Sequence, residues 1–205
     1  MRNLLILSLF ILFISCKNDT KTGSENDASG QFLKTDNSEA TDPAKLTIPS
    51  ACEMINEATL QSILKISGSA VNIKEANDPS SNSAKSCFFR WEDADTPNAG
   101  ILIQIQTNPV FDEYPQYISG FVAAKLTNGE TALGADKPSI FKKFTAGETV
   151  GAYSYEQSRF YWNLGNNYLF MLAFNISTLG EDKMVDIGKQ IVSEVNKNFA
   201  TKVNQ

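Results

Sequence analysis

Apolar and polar side chains alternate with a period of two in two central stretches of the chain, the spacing of a strand with one buried face. Cys87, Phe89 and Trp91 share one side while Phe88, Arg90 and Glu92 take the other, and Ile101, Ile103 and Ile105 repeat the pattern against Gln104 and Gln106. These odd positions are expected in the core. Val71 and Ile73 alternate more briefly ahead of the loop Asn77, Asp78, Pro79, Ser80, Ser81. Further on, Ile140 to Phe144, Thr149 to Glu156, Arg159 to Leu164 and Tyr168 to Ile176 read as strands. The last three are separated by Gln157 with Ser158 and by Gly165 with Asn166, a hairpin spacing.

Helical spacing appears three times. Ser50 with Glu53 fits a capping box opening a helix from Ala51 to Leu64, whose stripe is Leu60, Ile63 and Leu64 with Met54 or Ile55 one turn back. Asn56 offers a second start, and Gly68 is a stop signal. Pro115 suits the first turn of a helix carrying Ile118, Phe121, Val122 and Leu126 and ending near Asn128 and Gly129. Thr178 and Glu181 form another capping box, before Met184, Gly188, Ile191, Val192, Val195 and Phe199. The order is helix, three strands, helix, four strands, helix. It predicts an α+β fold, a single antiparallel sheet of about six or seven strands with helices packed mainly on one face.

The start of the chain follows another logic. Arg2 precedes an apolar run from Leu4 to Ile14, broken only by Ser8, which meets Ser15 and Cys16 and turns polar at Lys17, Asn18 and Asp19. These are the parts of an export signal, and the run is shorter than the ~20 residues a membrane span needs. Phe13, Ile14, Ser15 and Cys16 resemble the lipobox of bacterial lipoproteins, with Phe13 in place of the usual Leu and Ile14 and Ser15 in place of the usual Ala or Gly. The resemblance implies that Cys16 is acylated and becomes the new N-terminus, anchoring the protein to a membrane. Lys17, Asn18 and Asp19 are similar to the short polar signals that follow the lipidated cysteine in flavobacterial surface lipoproteins.

The chain therefore divides into a signal peptide, 1–15, a lipidated N-terminus and disordered tether, 16–46, and a single α+β domain, 47–205. The tether is polar except for Phe32 and Leu33, too little apolar surface to offset the entropy of ordering. About 30 such residues reach on the order of 30 Å. The expected location is the cell envelope, at the outer membrane, with the periplasmic and surface faces both open.

With Cys16 lipidated, Cys52 and Cys87 remain, an even count in a compartment outside the reducing cytoplasm. A disulfide tying the first helix to the second strand is the default. It would close a loop of about 35 residues, worth up to about 4 kcal/mol by chain entropy. A buried free pair and a metal site are the alternatives, the latter weakened because the chain has no histidine.

The domain resembles a broad group of uncharacterised bacterial lipoproteins and the extracellular sensor domains of mycobacterial-type serine/threonine kinases. The carrying residues are Ala51 to Ile55 leading into Leu60 and Leu64, Ser86 to Trp91, Ala132 to Gly134, Gly165 to Tyr168 and the closing amphipathic helix. The likeness implies one α+β sheet domain with a disulfide between the first helix and a strand, and a binding groove. It carries over no activity and no binding residue.

Charge and chemistry narrow the function classes. The formal charge is −5, and −6 once the signal is gone because Arg2 is the only charged residue lost. No basic stripe exists, so nucleic acid is not an expected partner. The absence of histidine removes the commonest general base and metal ligand. Glu92, Asp93 and Asp95 beside Pro97, Asn98 and Gly100 lack the glycine and terminal glutamate of a calcium loop and read as a solvated hairpin tip. Asp112 and Glu113 beside Pro115 suit a helix N-terminus. No metal and no cofactor is expected.

An aromatic group is the remaining candidate. Tyr153 and Tyr155 share one strand face, Tyr161 lies on the next strand opposed by Phe160 and Trp162, and Arg159 could add a charged contact. Packing beneath helices explains them, and so does a patch that binds a ligand or partner. The expectation is a lipid-anchored envelope protein with a non-catalytic domain that binds a small ligand or another envelope protein. The alternatives are a carboxylate-dependent envelope enzyme using Glu92, Asp93, Asp95, Asp112 and Glu113, and a structural or inhibitor lipoprotein docking through a sheet edge.

Overall fold

Turn chemistry sets where the strands stop. Ser158 and Gly165 take left-handed backbone, φ 51° and 58°, and close consecutive hairpins. The computed structural model describes residues 39–78, 82–131, 134–176 and 178–203, all within one compact unit. The signal, Cys16, Phe32, Leu33, Ala132 and Leu133 lie outside the described residues.

Strands β1 (Asn72–Glu75), β2 (Ala84–Arg90), β3 (Gly100–Gln106), β4 (Lys142–Ala146), β5 (Thr149–Ser154), β6 (Arg159–Leu164) and β7 (Tyr168–Asn175) form one open, seven-stranded antiparallel sheet. Its order is β1-β2-β3-β7-β6-β5-β4. The connection after β3 crosses to the far edge, and three hairpins then step back until β7 pairs with β3. Helices α1 (Glu57–Leu64), α2 (Tyr117–Asn128) and α3 (Glu181–Val203) complete the domain, the α+β single-sheet architecture expected from the sequence.

Cys87 and Phe89 of β2 and Ile101, Ile103 and Ile105 of β3 are buried, together with Phe160, Trp162, Phe170 and Leu172, beneath α1 and α3. Helix α3 presents Met184, Ile187, Gly188, Ile191, Val192, Val195 and Phe199 to this face. Two amides fix its position: Trp162 Nε1 donates to Asn196 Oδ1 (2.8 Å), and Asn198 Nδ2 donates to Met54 O (2.8 Å).

Helix α2 lies on the opposite face, with Ile118 and Val122 over Phe141, Ala152, Tyr161 and Leu169. The helices thus divide between two faces, because the crossing after β3 passes over β5 and β6 on the side away from α3.

Element ends differ from the sequence pattern for local reasons. The helix expected over 51–64 breaks into a 3₁₀ turn, Ala51–Glu53, and α1, capped by Asn56 whose Oδ1 accepts from Thr59 N (2.8 Å). Across the bend at 54–56 the consecutive Met54 and Ile55 are both fully buried. Glu181 does not close the expected box with Thr178, since its carboxylate accepts from Lys142 Nζ (2.6 Å) and Tyr153 OH (3.0 Å). Strand β4 runs two residues later than expected and leaves Ile140 exposed.

Two segments are tied onto this body. Thr41 N donates to Asn167 Oδ1 (2.8 Å) and Tyr168 OH to Thr47 O (3.1 Å), so docking begins several residues ahead of 47. Cys52 and Cys87 stand in disulfide geometry, with Cα atoms 5.0 Å apart.

Candidate functional site

The strand register separates the aromatic group. Tyr153 pairs with Phe160 on the α3 side, whereas Tyr161 pairs with Ala152 and lies beneath α2. Tyr153 stacks on Phe160 with ring centroids 5.5 Å apart, and burial followed by its bond to Glu181 pushes its hydroxyl pKa up. Tyr155 is exposed beyond the end of β5, its OH donating to Leu179 O (3.0 Å). Arg159 and Tyr161 share the second face and meet at Glu130, 3.2 Å from Arg159 Nη1 and 3.4 Å from Tyr161 OH. Burial, then the Glu130 charge, raises the Tyr161 pKa. The four residues form two separate packing groups and no common binding surface.

The carboxylates do not converge either. Glu92, Asp93 and Asp95 are exposed on the β2–β3 loop, where Asp93 Oδ1 accepts from Asp95 N (3.0 Å) and Thr96 N (2.9 Å). Asp112 and Glu113 are exposed in the loop leaving the other end of β3. A strand of that length puts roughly 20 Å between the groups. Among the described residues no cluster of three or more acidic or cysteine side chains is placed to hold a metal ion.

What the packing leaves open is half of the second face. Helix α2 covers β5 and β6, so the same side of β1, β2, β3 and the near part of β7 carries no helix among the described residues. The registers Lys74↔Phe88, Phe88↔Leu102 and Leu102↔Ala173 run a row across it, and Asn72↔Arg90, Arg90↔Gly100 and Gly100↔Asn175 run the next. Two open depressions, of about 460 and 670 Å³, share Phe88, Arg90 and Asn98. The floor is Phe88, Leu102 and Ala173, half-buried; the rim is Lys74, Arg90, Asn72, Asn98 and Asn175.

Arg90 is held in a defined pose. Its guanidinium carbon sits 4.8 Å from the Phe88 ring centroid, a cation over an aromatic face. Gly100 makes room for it, since a Cβ there would lie 2.7 Å from Phe89 O and 3.3 Å from Arg90 Cγ. Asn175 Nδ2 donates to Asn98 O (2.7 Å) and Gln104 Nε2 to Ser86 Oγ (3.1 Å), which fixes the neighbouring amides.

The electrostatics of this face oppose those of the whole chain. Its strand positions carry Lys74, Arg90, Lys143 and Arg159 and no carboxylate, although the chain is −5 overall. Glu75, the single acid in the described strands, has its side chain on the other face by register but also borders the larger depression, as does Glu92, and Glu130 lies beside Arg159. Neither Arg90 nor Lys74 forms an ion pair among the described residues. An apolar floor beside two unpaired cations and several amides is chemistry for recognising carboxylates on a broad surface.

No protein-family model, curated protein or solved structure matches the chain. The alternation of apolar and polar positions places Phe88 and Arg90 on the non-core face of their strand and gives them no role in a site. Within β1, β2 and β3 the even positions carry Lys74 and Arg90 and no acid, a signal that depends on β2 ending before Glu92.

Proposed function

We propose that this protein is a lipid-anchored cell-envelope protein, held through Cys16, whose domain works by binding and not by catalysis. Its occupant is a carboxylate-bearing surface of another envelope protein, received on the open half-face around Phe88 and Arg90. The observation that carries this reading is that half-face: among the described residues, an apolar floor left without a helix and edged by Lys74 and Arg90 without ion-pair partners. Its openness favours a protein over a small molecule, because small ligands bind in clefts that bury most of their surface. The lipobox-like residues and the Cys52–Cys87 pair support an oxidising, membrane-attached setting. Among the described residues no helix is long and apolar enough to cross a membrane, and the anchor in this reading is the acylated Cys16 of the lipobox-like motif.

A photo-crosslinking residue replacing Phe88 in full-length protein tests the face in intact cells, with the same residue at exposed Asp186 on α3 as reference. The expected result is a discrete adduct from position 88 alone, lost when Arg90→Glu and Lys74→Glu are introduced together. An adduct indifferent to that charge reversal, or none, removes the proposal. Metabolic labelling with a clickable fatty acid tests the anchor, since Cys16→Ser should lose both label and membrane fractionation.

A further inference from the structure

Strand β1 ends the sheet beside this face, and among the described residues no strand pairs with its outer edge. Ala76 N donates to Ser86 O (2.9 Å), so the even-numbered peptide groups of this strand turn toward β2 and the odd-numbered ones turn outward. The outward N–H of Val71 is taken by Glu57 Oε1 (2.8 Å). Those of Ile73 and Glu75 have no partner among the described residues, and all four residues of the strand are exposed. The other edge is managed differently: β4 packs against α3, carries Lys142 and Lys143, and has Lys142 paired with Glu181.

An unpaired edge is a template for another strand. The side chains of β1 state which kind. Lys74 points to the cationic face next to Phe88 and Arg90, while Ile73, 40% exposed, and Glu75, which accepts from Ser50 Oγ, point to the other face. We infer that an extended segment of an acidic polypeptide adds to β1 as a further strand, its carboxylates beside Lys74 and an apolar side chain beside Ile73. This rests on the binding role proposed above and gives the form of the occupant. A second copy of this chain fits poorly, because symmetric pairing of β1 about Ile73 and Glu75 sets Lys74 against Lys74.

The test uses the full chain and a capped probe peptide, Thr-Glu-Val-Glu-Val-Glu-Thr. Expected is protection of the Ile73 and Glu75 amides from hydrogen exchange by roughly tenfold or more at a peptide concentration of about 1 mM. A peptide with Lys for every Glu should fail to bind, and Lys74→Glu should invert that preference. Ile73→Pro removes one outward N–H and leaves the bonds to β2 in place, so it should weaken the probe about tenfold while urea unfolding shows the fold retained. The inference is overturned if the probe does not bind. It is also overturned if Ile73 and Glu75 gain protection with protein concentration alone, the mark of a self-paired edge. Binding that depends on Arg90 but leaves the edge amides unprotected overturns strand addition while the binding face stands.

Discussion

Lys125 shows at the level of single residues how this fold treats charge. Its Nζ lies 4.8 Å from the ring centroid of Phe121, 5.1 Å from Tyr161 and 5.7 Å from Phe141, an aromatic cage filled by the protein's own cation. Glu130, 2.5 Å away, balances it and also takes Arg159. The Lys125 and Glu130 side chains are 15% and 24% exposed, so the pair is largely shielded. Removing the carboxylate leaves two cations on an apolar patch. Glu130→Ala should cost about 2 kcal/mol, less than a fully buried pair because solvent still reaches both ends. Lys125→Met should cost less, about 1 kcal/mol, because the rings keep an apolar partner. Urea midpoints at unchanged m-value measure both, and equal losses would contradict this account.

Glu181 makes a second residue-scale case, resolved by pH. The Lys142 ammonium and then the Tyr153 hydroxyl hold its carboxyl below the ordinary 4.5, and the same contact raises Lys142 above 10.5. A carboxyl lowered on folding adds stability above 4.5 that is lost as pH falls through the folded value. A raised lysine adds stability below 10.5 that is lost as pH climbs through its own. The clamp on the start of α3 is therefore intact across the neutral range and opens at both extremes. In Lys142→Met the Glu181 carboxyl should titrate closer to 4.5 by NMR, and an unmoved titration would remove Lys142 as the cause.

At the level of elements, the closest approach of α3 to the sheet is set by Gly188. A Cβ there would stand 2.5 Å from the Phe160 ring, and Phe160 is itself wedged against Phe144, Tyr153 and Phe174. The ring cannot yield. Gly188→Ala should cost about 3 kcal/mol by overpacking, against the usual gain of Gly→Ala within a helix. Thermal unfolding separates the two signs, and a raised midpoint would show that α3 can shift outward. Gly188 stood out in the sequence only as a small residue in the apolar stripe, because what a stripe packs against is a pairwise fact that periodicity does not contain.

The same distinction explains what could and could not be read beforehand. Strand faces were legible at Cys87 to Trp91 and Ile101 to Ile105, where burial acts on every second residue of one segment. The break before Asn56 was visible as a second cap, and Asn56 Oδ1 accepts from Thr59 N at that start. The side taken by α2 was not legible. Ile118 and Val122 fit either face of a sheet, and the choice is made by the long crossing from β3 to β4. The candidate site inherits that choice, since Phe88 and Arg90 are open only because α2 covers the other half.

The whole molecule is consequently asymmetric. Strands β5 and β6 are packed on both faces, whereas β2 is packed on one and all four residues of β1 are exposed, and the cover over β2 includes the short segment around Cys52. The Cys52–Cys87 bridge joins that segment to β2 across a separation of 35 residues. Its stabilisation of up to about 4 kcal/mol acts through the unfolded chain, but its loss in the native state falls on the less covered half. Amide exchange should therefore be slowest in β3 and β7, at the centre of the sheet, and fastest among the strands in β1. A Cys52→Ser and Cys87→Ser double variant should lose about 2–4 kcal/mol overall. Its exchange should quicken first in Ala51–Leu64, β1 and β2, with β5 and β6 following only at global unfolding. Uniform acceleration across all seven strands would instead mean that the sheet opens as one unit and that the bridge guards no particular part of it.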